Sequence, residues 1–419
     1  LKTILLTRIG DYLSPLKRLG FWLTKGRKIA RVPPEPNVHW WSEEMDGRHA
    51  GTSPAVGKTQ DPAAILFSGG TTGSPKGIVL SNRNFIAEGM QAAAWGGLVQ
   101  GDSILATLPI FHGFGLGVCV NAALMAGGKT ILVPTFEPAA TAKLLREKRP
   151  SVLVGVPTLY HALASDPALA QSDLSSLKAC FCGADTLPRP VKERFEKLVA
   201  ERGGRVRLLE GYGLTEAVSA IMAMPRGEYR EGSMGIPFPD TAAMLCVPGT
   251  TGEAPAGEEG ELCVSGPAVM IGYLDDPEAT AQALRVHADG RTWLHTGDLA
   301  RRDADGFFYF VLRLKRIIKS SGFNVYPSQV EEVLYRHPAV AEACVVGVPD
   351  PAQIERVKAF VVLKDPAAQS EAMKDELIAY CRTQLIKWSC PREIEFRRQL
   401  PKTRIGKVDF RALAAERAV

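Results

Sequence analysis

The chain has 419 residues, 46% of them apolar and 23% charged, with a formal net charge of +5. That length exceeds one small core, and the balance is that of a soluble globular protein with more than one folded unit. So small a charge surplus argues against a nucleic-acid binder, and no apolar run reaches the length of a membrane span.

The opening stretch, through Lys28, is basic and apolar; it reads as a strand over Lys2–Thr7 followed by a partly exposed amphipathic segment, with a membrane-surface role as the alternative. It lacks a small-residue cleavage site after an apolar stretch, which argues against a signal peptide. A Pro-rich connector (Pro33, Pro34, Pro36) precedes a rhythm of strand, turn and helix that begins at Ala63. Strands are expected at Ala64–Ser68, Ser103–Leu108, Thr130–Pro134, Ser151–Val156, Leu177–Cys182 and Val206–Gly211. Helices are expected at Asn82–Trp95, Thr141–Lys148 and Pro190–Arg202. Short apolar strands alternating with helices indicate an α/β sheet with parallel segments. After about Gly235 the texture becomes β-rich, with strands at Ala243–Val247, Gly260–Ser265 and Gly306–Val311. A last α+β block from about Arg316 carries helices Ser328–Tyr335 and Ser370–Gln384, strands Val340–Val346 and Lys358–Leu363, and a basic tail. The fold class expected is therefore α/β: a large N-terminal domain of layered α/β sheets with a β-rich subregion, and a small α+β C-terminal domain. The eight cysteines show neither metal-ligand spacing nor a disulfide framework, so reduced thiols in a cytoplasmic setting are expected.

The strongest local signal is Ser68-Gly69-Gly70-Thr71-Thr72-Gly73-Ser74-Pro75-Lys76-Gly77: four glycines, four hydroxyls and one lysine within ten residues, directly after a buried strand. Glycines let backbone N–H groups approach phosphate oxygens, hydroxyls donate hydrogen bonds or ligate Mg²⁺, and Lys76 adds a point charge. The spacing is not that of the common P-loop. Further along the chain come Leu108-Pro109-Ile110-Phe111-His112-Gly113-Phe114-Gly115; Cys182-Gly183-Ala184-Asp185; Glu210-Gly211-Tyr212-Gly213-Leu214-Thr215-Glu216; Gly260-Glu261-Leu262 with Gly272-Tyr273-Leu274; Thr296-Gly297-Asp298-Leu299; Arg313 through Pro327; and Leu400-Pro401-Lys402-Thr403-Arg404-Ile405-Gly406-Lys407. Taken alone, each has a structural reading: a glycine turn, a satisfied histidine, an Asp in a turn, a solvated basic tail.

Together and in this order, these motifs resemble the adenylate-forming superfamily, whose members include acyl- and aryl-CoA synthetases, luciferases and peptide-synthetase adenylation domains. The resemblance runs from about Ala63 to the C-terminus. It implies that the Ser68–Gly73 loop and Lys76 hold the β- and γ-phosphates of ATP. His112 borders the acyl and nucleotide sites. Gly183, Ala184 and Asp185 pack on adenine with Glu210, Gly211, Tyr212 and Gly213, and Tyr212 offers a stacking face. Thr215 bonds the α-phosphate, while Glu216 and Thr72 are Mg²⁺ ligands. Asp298 accepts the ribose hydroxyls, Arg313 contacts ribose or phosphate, and Lys319 belongs to the same cofactor-binding set. Gly322 lines the pantetheine tunnel, and Lys407 bridges carboxylate and α-phosphate during adenylation. The 260–274 segment is expected to be structural. The domains implied are 1–314, a large AMP-binding domain, and 315–419, a small mobile lid that swings about Lys315. Leu312 departs from the pattern, since the family usually carries Gly immediately before the arginine.

The activity implied is that of an AMP-forming acyl-CoA synthetase. It takes ATP, Mg²⁺, coenzyme A and a carboxylic acid, with a fatty acid fitting best because Gly113–Val120 and Gly155–Tyr160 are apolar or small. The stretch Asp11–Lys17 also resembles bacterial long-chain fatty acyl-CoA ligases. Two other readings stay open: an adenylating ligase that loads a carrier protein, and an inactive homologue serving as a binding module. Nucleic acid is not an expected partner; peripheral membrane contact and a dimer are compatible with the sequence. The family's N-terminal β/α subdomain is represented only by its tail, so this chain is expected to be less stable than one carrying the whole subdomain.

Overall fold

The computed structural model describes residues 3–29, 32, 35–45, 57–67, 76–316, 318–320, 323–350, 354–402 and 408–415. The chain forms two compact units, Leu1–Gly57 and Lys58–Val419. In the first, strand Ile4–Leu6 pairs in parallel with Val38–Trp40, and the amphipathic segment becomes a helix, Pro15–Thr24, with Pro15 at its first turn. No described helix is long and apolar enough to cross a membrane.

The second unit is built on four sheets among the described residues. The largest runs Ile236–Pro237, Ala220–Ala223, Leu208–Gly213, Ala179–Cys182, Val152–Gly155, Ser103–Ala106, Lys129–Leu132. Its last five strands are parallel. They are short and apolar because helices cover them: Leu105, Leu153, Tyr160, Leu163 and Phe195 form one buried cluster. Helix Asn82–Gly96 begins with a reciprocal cap between Ser81 and Asn84 and ends at Gly97 in the left-handed conformation, φ 62°.

A three-stranded antiparallel sheet joins Pro62–Phe67, Gly77–Ser81 and Gly272–Tyr273. The β-rich region is an antiparallel sheet of Ala242–Cys246, Gly260–Ser265, Thr292–Arg302 and Leu284–Val286, with Phe308–Arg313 paired to Thr292–Arg302. The last block has its own core of Val330, Leu334, Val345, Ala359, Val361 and Leu377. Its central hairpin is Val340–Asp350 with Ile354–Leu363.

Three local features differ from expectation. Phe114–Asn121 is a π-helix, where three glycines in five residues (Gly113, Gly115, Gly117) permit a loosely wound turn. Pro157–Ser165 is an α-helix started by Pro157. Within the basic tail, Glu393–Phe396 adds to the last sheet in parallel, where Lys358 meets Glu393 and Glu395.

Candidate active site

Gly183 and Ala184 follow the parallel strand Ala179–Cys182, and Tyr212 and Gly213 end the parallel strand Leu208–Gly213, the usual ligand position in an open α/β sheet. The Gly183 N–H donates to Gly155 O at 3.2 Å. A Cβ on Gly183 would lie 3.2 Å from both Gly211 O and the Phe114 ring. Residues from three separate motifs therefore meet at one glycine. Ala184 takes φ 70°, a left-handed conformation that costs a non-glycine residue energy and recurs at functional sites. Val218 is more strained still, a β-branched residue at φ 63° just after Thr215–Ala217; its carbonyl occupies the space a side chain on Gly113 would need.

His112 accepts the Phe114 N–H on Nδ1 at 3.2 Å. That bond places its ring proton on Nε2.

The sequence suggests Asp298 on a loop; it lies instead in strand Thr292–Arg302 and is 1% exposed. The turn is supplied within the strand by Gly297 at φ 71°. Strand register sets Asp298 opposite Arg313, and Arg313 Nε stands 2.8 Å from Asp298 Oδ1. Tyr212 donates its hydroxyl to Asp298 Oδ2 at 2.6 Å. Burial, then Asp298, holds the Tyr212 hydroxyl protonated, its pKa raised well above 10. Burial alone would lower the Arg313 pKa, but Asp298, Tyr212 and Glu216 together raise it. Leu312, at the unusual position, is buried and paired with Leu299.

A second group surrounds Glu216, which sits in the short turn Thr215–Ala217 beside Thr215. Tyr273 donates to Glu216 Oε1 at 2.9 Å. Lys76 Nζ lies 4.7 Å from the centre of the Tyr273 ring and 3.5 Å from Asp276 Oδ2. Tyr273 thus connects the lysine of the glycine-rich motif to the acidic end of the Tyr212–Glu216 motif. Sequence reasoning gave this tyrosine no role. The pairing of Tyr273 with Ile78 creates the contact, and nothing local to residue 273 signals it.

Glu210 accepts the Tyr229 hydroxyl at 2.9 Å, and burial raises its pKa. Asp185 caps its own turn through the Thr186 N–H. Lys319 lies in the last block, on strand Ile318–Ser320, its N–H bonded to Glu355. Ser68, Gly69, Gly70, Thr71, Thr72, Gly73, Gly322 and Lys407 lie outside the described residues, as does the side chain of Lys315.

Behind the Gly297 turn, residues scattered along the chain come together. Gly297 N–H donates to Glu261 Oε1 at 3.0 Å, Glu261 Oε2 meets His295 Nδ1 at 3.0 Å, and His295 Nε2 meets His287 Nε2 at 3.0 Å. Burial, then His295, lowers the His287 pKa. The folded state then binds fewer protons there than the unfolded chain, so stability falls as pH drops below the ordinary histidine value of about 6.5. Melting temperatures between pH 5 and 7.5 should show this slope, and His287→Gln should flatten it; an unchanged slope would contradict the assignment.

Chemically, the described set offers a buried carboxylate clamped by a guanidinium and a phenol, a second carboxylate linked to a lysine through a tyrosine, and glycines that open backbone to a flat ligand. The chain also resembles known proteins in sequence and fold. The AMP-binding enzyme family matches residues 24–274, and the AMP-binding enzyme C-terminal domain matches residues 329–407. The chain is 40% identical to a long-chain-fatty-acid–CoA ligase of Bacillus subtilis, over 99% of this chain and 72% of that protein. It is 39% identical to a feruloyl-CoA synthase of an Amycolatopsis species, over 83% of this chain and 68% of that one. The crystal structure of ATP-bound MatB from Rhodopseudomonas palustris superposes with a TM-score of 0.82 at 29% identity, covering 99% of this chain and 79% of that one.

Proposed function

The chain belongs to the AMP-binding enzyme family, as an AMP-forming acyl-CoA ligase that uses ATP, coenzyme A and a carboxylic acid, and we propose that its acid is a fatty acid. The fatty-acid reading rests on the name of the Bacillus subtilis relative and on the apolar and small residues of 113–120. The feruloyl-CoA synthase relative makes an aryl acid the second reading.

One observation carries the assignment of residues: Asp298, Arg313 and Tyr212, from three motifs, join in a single group through an ion pair and a hydrogen bond. In our reading Asp298 accepts the ribose hydroxyls while Arg313 reaches ribose or phosphate. Lys76 and the Ser68–Gly73 loop, with Thr72, take the terminal phosphates; Gly183, Ala184, Asp185, Glu210, Gly211 and Gly213 frame adenine beside Tyr212. Thr215 bonds the α-phosphate. Lys319 belongs to the same set, Gly322 lines the path of the CoA arm, and His112 borders the acid.

Mg²⁺ suits the donor chemistry at Glu216, a hard carboxylate oxygen that accepts from Tyr273. Glu216 and Thr72 would hold it, and when bound it neutralises phosphate charge. The remaining work is positioning three anionic partners, two of them polyanions. Lys76, Arg313 and Lys407 offset charge as the acid's carboxylate attacks the α-phosphate and pyrophosphate departs. The CoA thiol then attacks the acyl carbonyl and AMP leaves. We set the domain boundary at 314/315, with residues 315–419 turning about Lys315 between the steps. A cytoplasmic location fits the eight free, buried cysteines. Peripheral membrane contact would use the helix Pro15–Thr24, where Leu16, Trp22 and Leu23 are exposed.

The test is pyrophosphate release across a panel of acids of increasing chain length, with and without CoA. Release should require an acid and rise with chain length, thioester should form only with CoA, and Lys76→Ala should slow release by roughly tenfold or more. Release without any acid would refute the mechanism; a panel led by short or aryl acids would refute the fatty-acid reading alone.

A further inference from the structure

Helix Asn82–Gly96 turns polar side chains inward: Asn84, Glu88 and Gln91 are all buried, at a spacing that puts them on one face. Two of them have clear structural work. Asn84 Nδ2 donates to Pro267 O at 2.8 Å and Val269 O at 2.7 Å. Gln91 Nε2 donates to Pro239 O and to Thr241 Oγ1. Glu88, between them, is 0% exposed, and neither of its carboxylate oxygens makes a hydrogen bond. A buried carboxyl without a partner is a standing cost to folding, and native structures hold few of them.

What faces it is the π-helix Phe114–Asn121, the continuation of the Leu108–Gly115 motif. A Cβ on Gly117 would lie 2.7 Å from Glu88 Oε2, so the glycine is what lets the carboxyl press against this wall. The wall is the apolar stretch read above as lining the acyl pocket. Desolvation pushes the Glu88 pKa up to about 8, against the Ala220 backbone, which lowers it. At neutral pH the group is therefore a neutral carboxyl, able to donate one hydrogen bond and accept another.

We propose that Glu88 is a polar stop in the acyl pocket, and that the acid taken by this site carries a hydroxyl group where it meets that carboxyl. The proposal rests on the ligase reading and narrows its substrate class. A hydroxyl is the group that exchanges hydrogen bonds in both directions with a neutral carboxyl. An unsubstituted alkyl end leaves Glu88 unpaired, and a second anionic group would be buried without a counter-charge. In this structure the carboxyl is closed over by Gly117, so the acid reaches it by displacing the π-helical turn, the kind of irregular helix that often marks functional sites. The hydroxyl can belong to a hydroxy fatty acid or to a hydroxyaryl acid; the chemistry at Glu88 is the same.

The experiment uses the full chain with ATP and Mg²⁺, reading pyrophosphate release on two matched pairs. One pair is a straight-chain alkanoic acid and its terminally hydroxylated counterpart; the other is cinnamic acid and its ring-hydroxylated counterpart. In at least one pair the hydroxylated member should lead by roughly tenfold or more in kcat/KM, the scale expected of a site built to bond a hydroxyl, and the leading pair identifies the source. Glu88→Leu should abolish that lead. Glu88→Gln, which keeps a donor and an acceptor, should retain most of it. Thermal melting checks the fold, and Glu88→Leu should not lower Tm, because it replaces an unpaired buried group with an apolar one. No lead for either hydroxylated acid, or a lead that survives Glu88→Leu, overturns the proposal while leaving the ligase reading intact. No pyrophosphate release with any acid overturns both.

Discussion

Asp298→Asn should lower kcat/KM for acid-dependent pyrophosphate release by roughly 10²–10³ and should raise KM for ATP. The carboxylate is ion-paired with Arg313, Nε lying 2.8 Å from Oδ1, accepts from the Tyr212 hydroxyl at 2.6 Å, and is itself 1% exposed. An amide of the same shape carries no charge and offers one acceptor oxygen in place of two, so the guanidinium and the phenol can no longer both be satisfied. Stability should fall as well. Breaking a fully buried ion pair is expensive, but the Arg313 side chain keeps 42% of its surface in solvent, so the loss belongs near about 1–3 kcal/mol rather than higher. Denaturant unfolding measures that part. Steady-state kinetics at saturating acid measures the rest. An unchanged KM for ATP would remove Asp298 and Arg313 from the nucleotide site.

The Asp298–Arg313 pairing also shows what a sequence can and cannot convey. Asp303-Ala304-Asp305-Gly306 lies between two apolar runs, with Gly306 at φ 90°. A hairpin there, counted outward from the turn, brings residue 298 near residue 313, so this contact was open to prediction. The parallel strands were equally legible, because each is a short apolar run before a glycine or proline. Tyr273 was not. It reaches Glu216 and Lys76 through a strand pairing with Ile78 across nearly two hundred residues, and no local pattern encodes such a distant register. The Glu261–His295–His287 chain is similar: its members come from two strands and a turn, so spacing along the sequence hides it. Glu88 misleads in the opposite direction. Helical periodicity assigns polar positions to solvent, yet Asn84, Glu88 and Gln91 occupy the buried face. Only the hydrogen bonds of the first and last explain their burial. The π-helix at Phe114–Asn121 escapes a reading based on periods of two and 3.6, and it is the element that covers Glu88.

Lys407→Ala should separate the two half-reactions. Formation of the acyl-adenylate should slow by roughly 10²–10³, while transfer of the acyl group from a supplied acyl-adenylate to CoA should change by no more than about threefold. The described residues that flank 403–407 are held in place. Lys402 pairs with Val408, and the Asp409 N–H donates to Pro401 O at 2.8 Å. Lys402 Nζ bonds Glu342 on strand Val340–Asp350 at 2.8 Å. On the far side the Arg316 guanidinium lies 4.7 Å from the Phe410 ring centre. On the proposed rotation of residues 315–419, the cation at position 407 serves the first transition state and has no part in the second. Lys402→Ala keeps the charge at position 407 but removes the bond to Glu342. It should reduce adenylation by less than Lys407→Ala does, with thioester formation again spared. Equal losses in both half-reactions, from either substitution, would mean that the tail serves folding or CoA binding instead of delivering a charge to the α-phosphate.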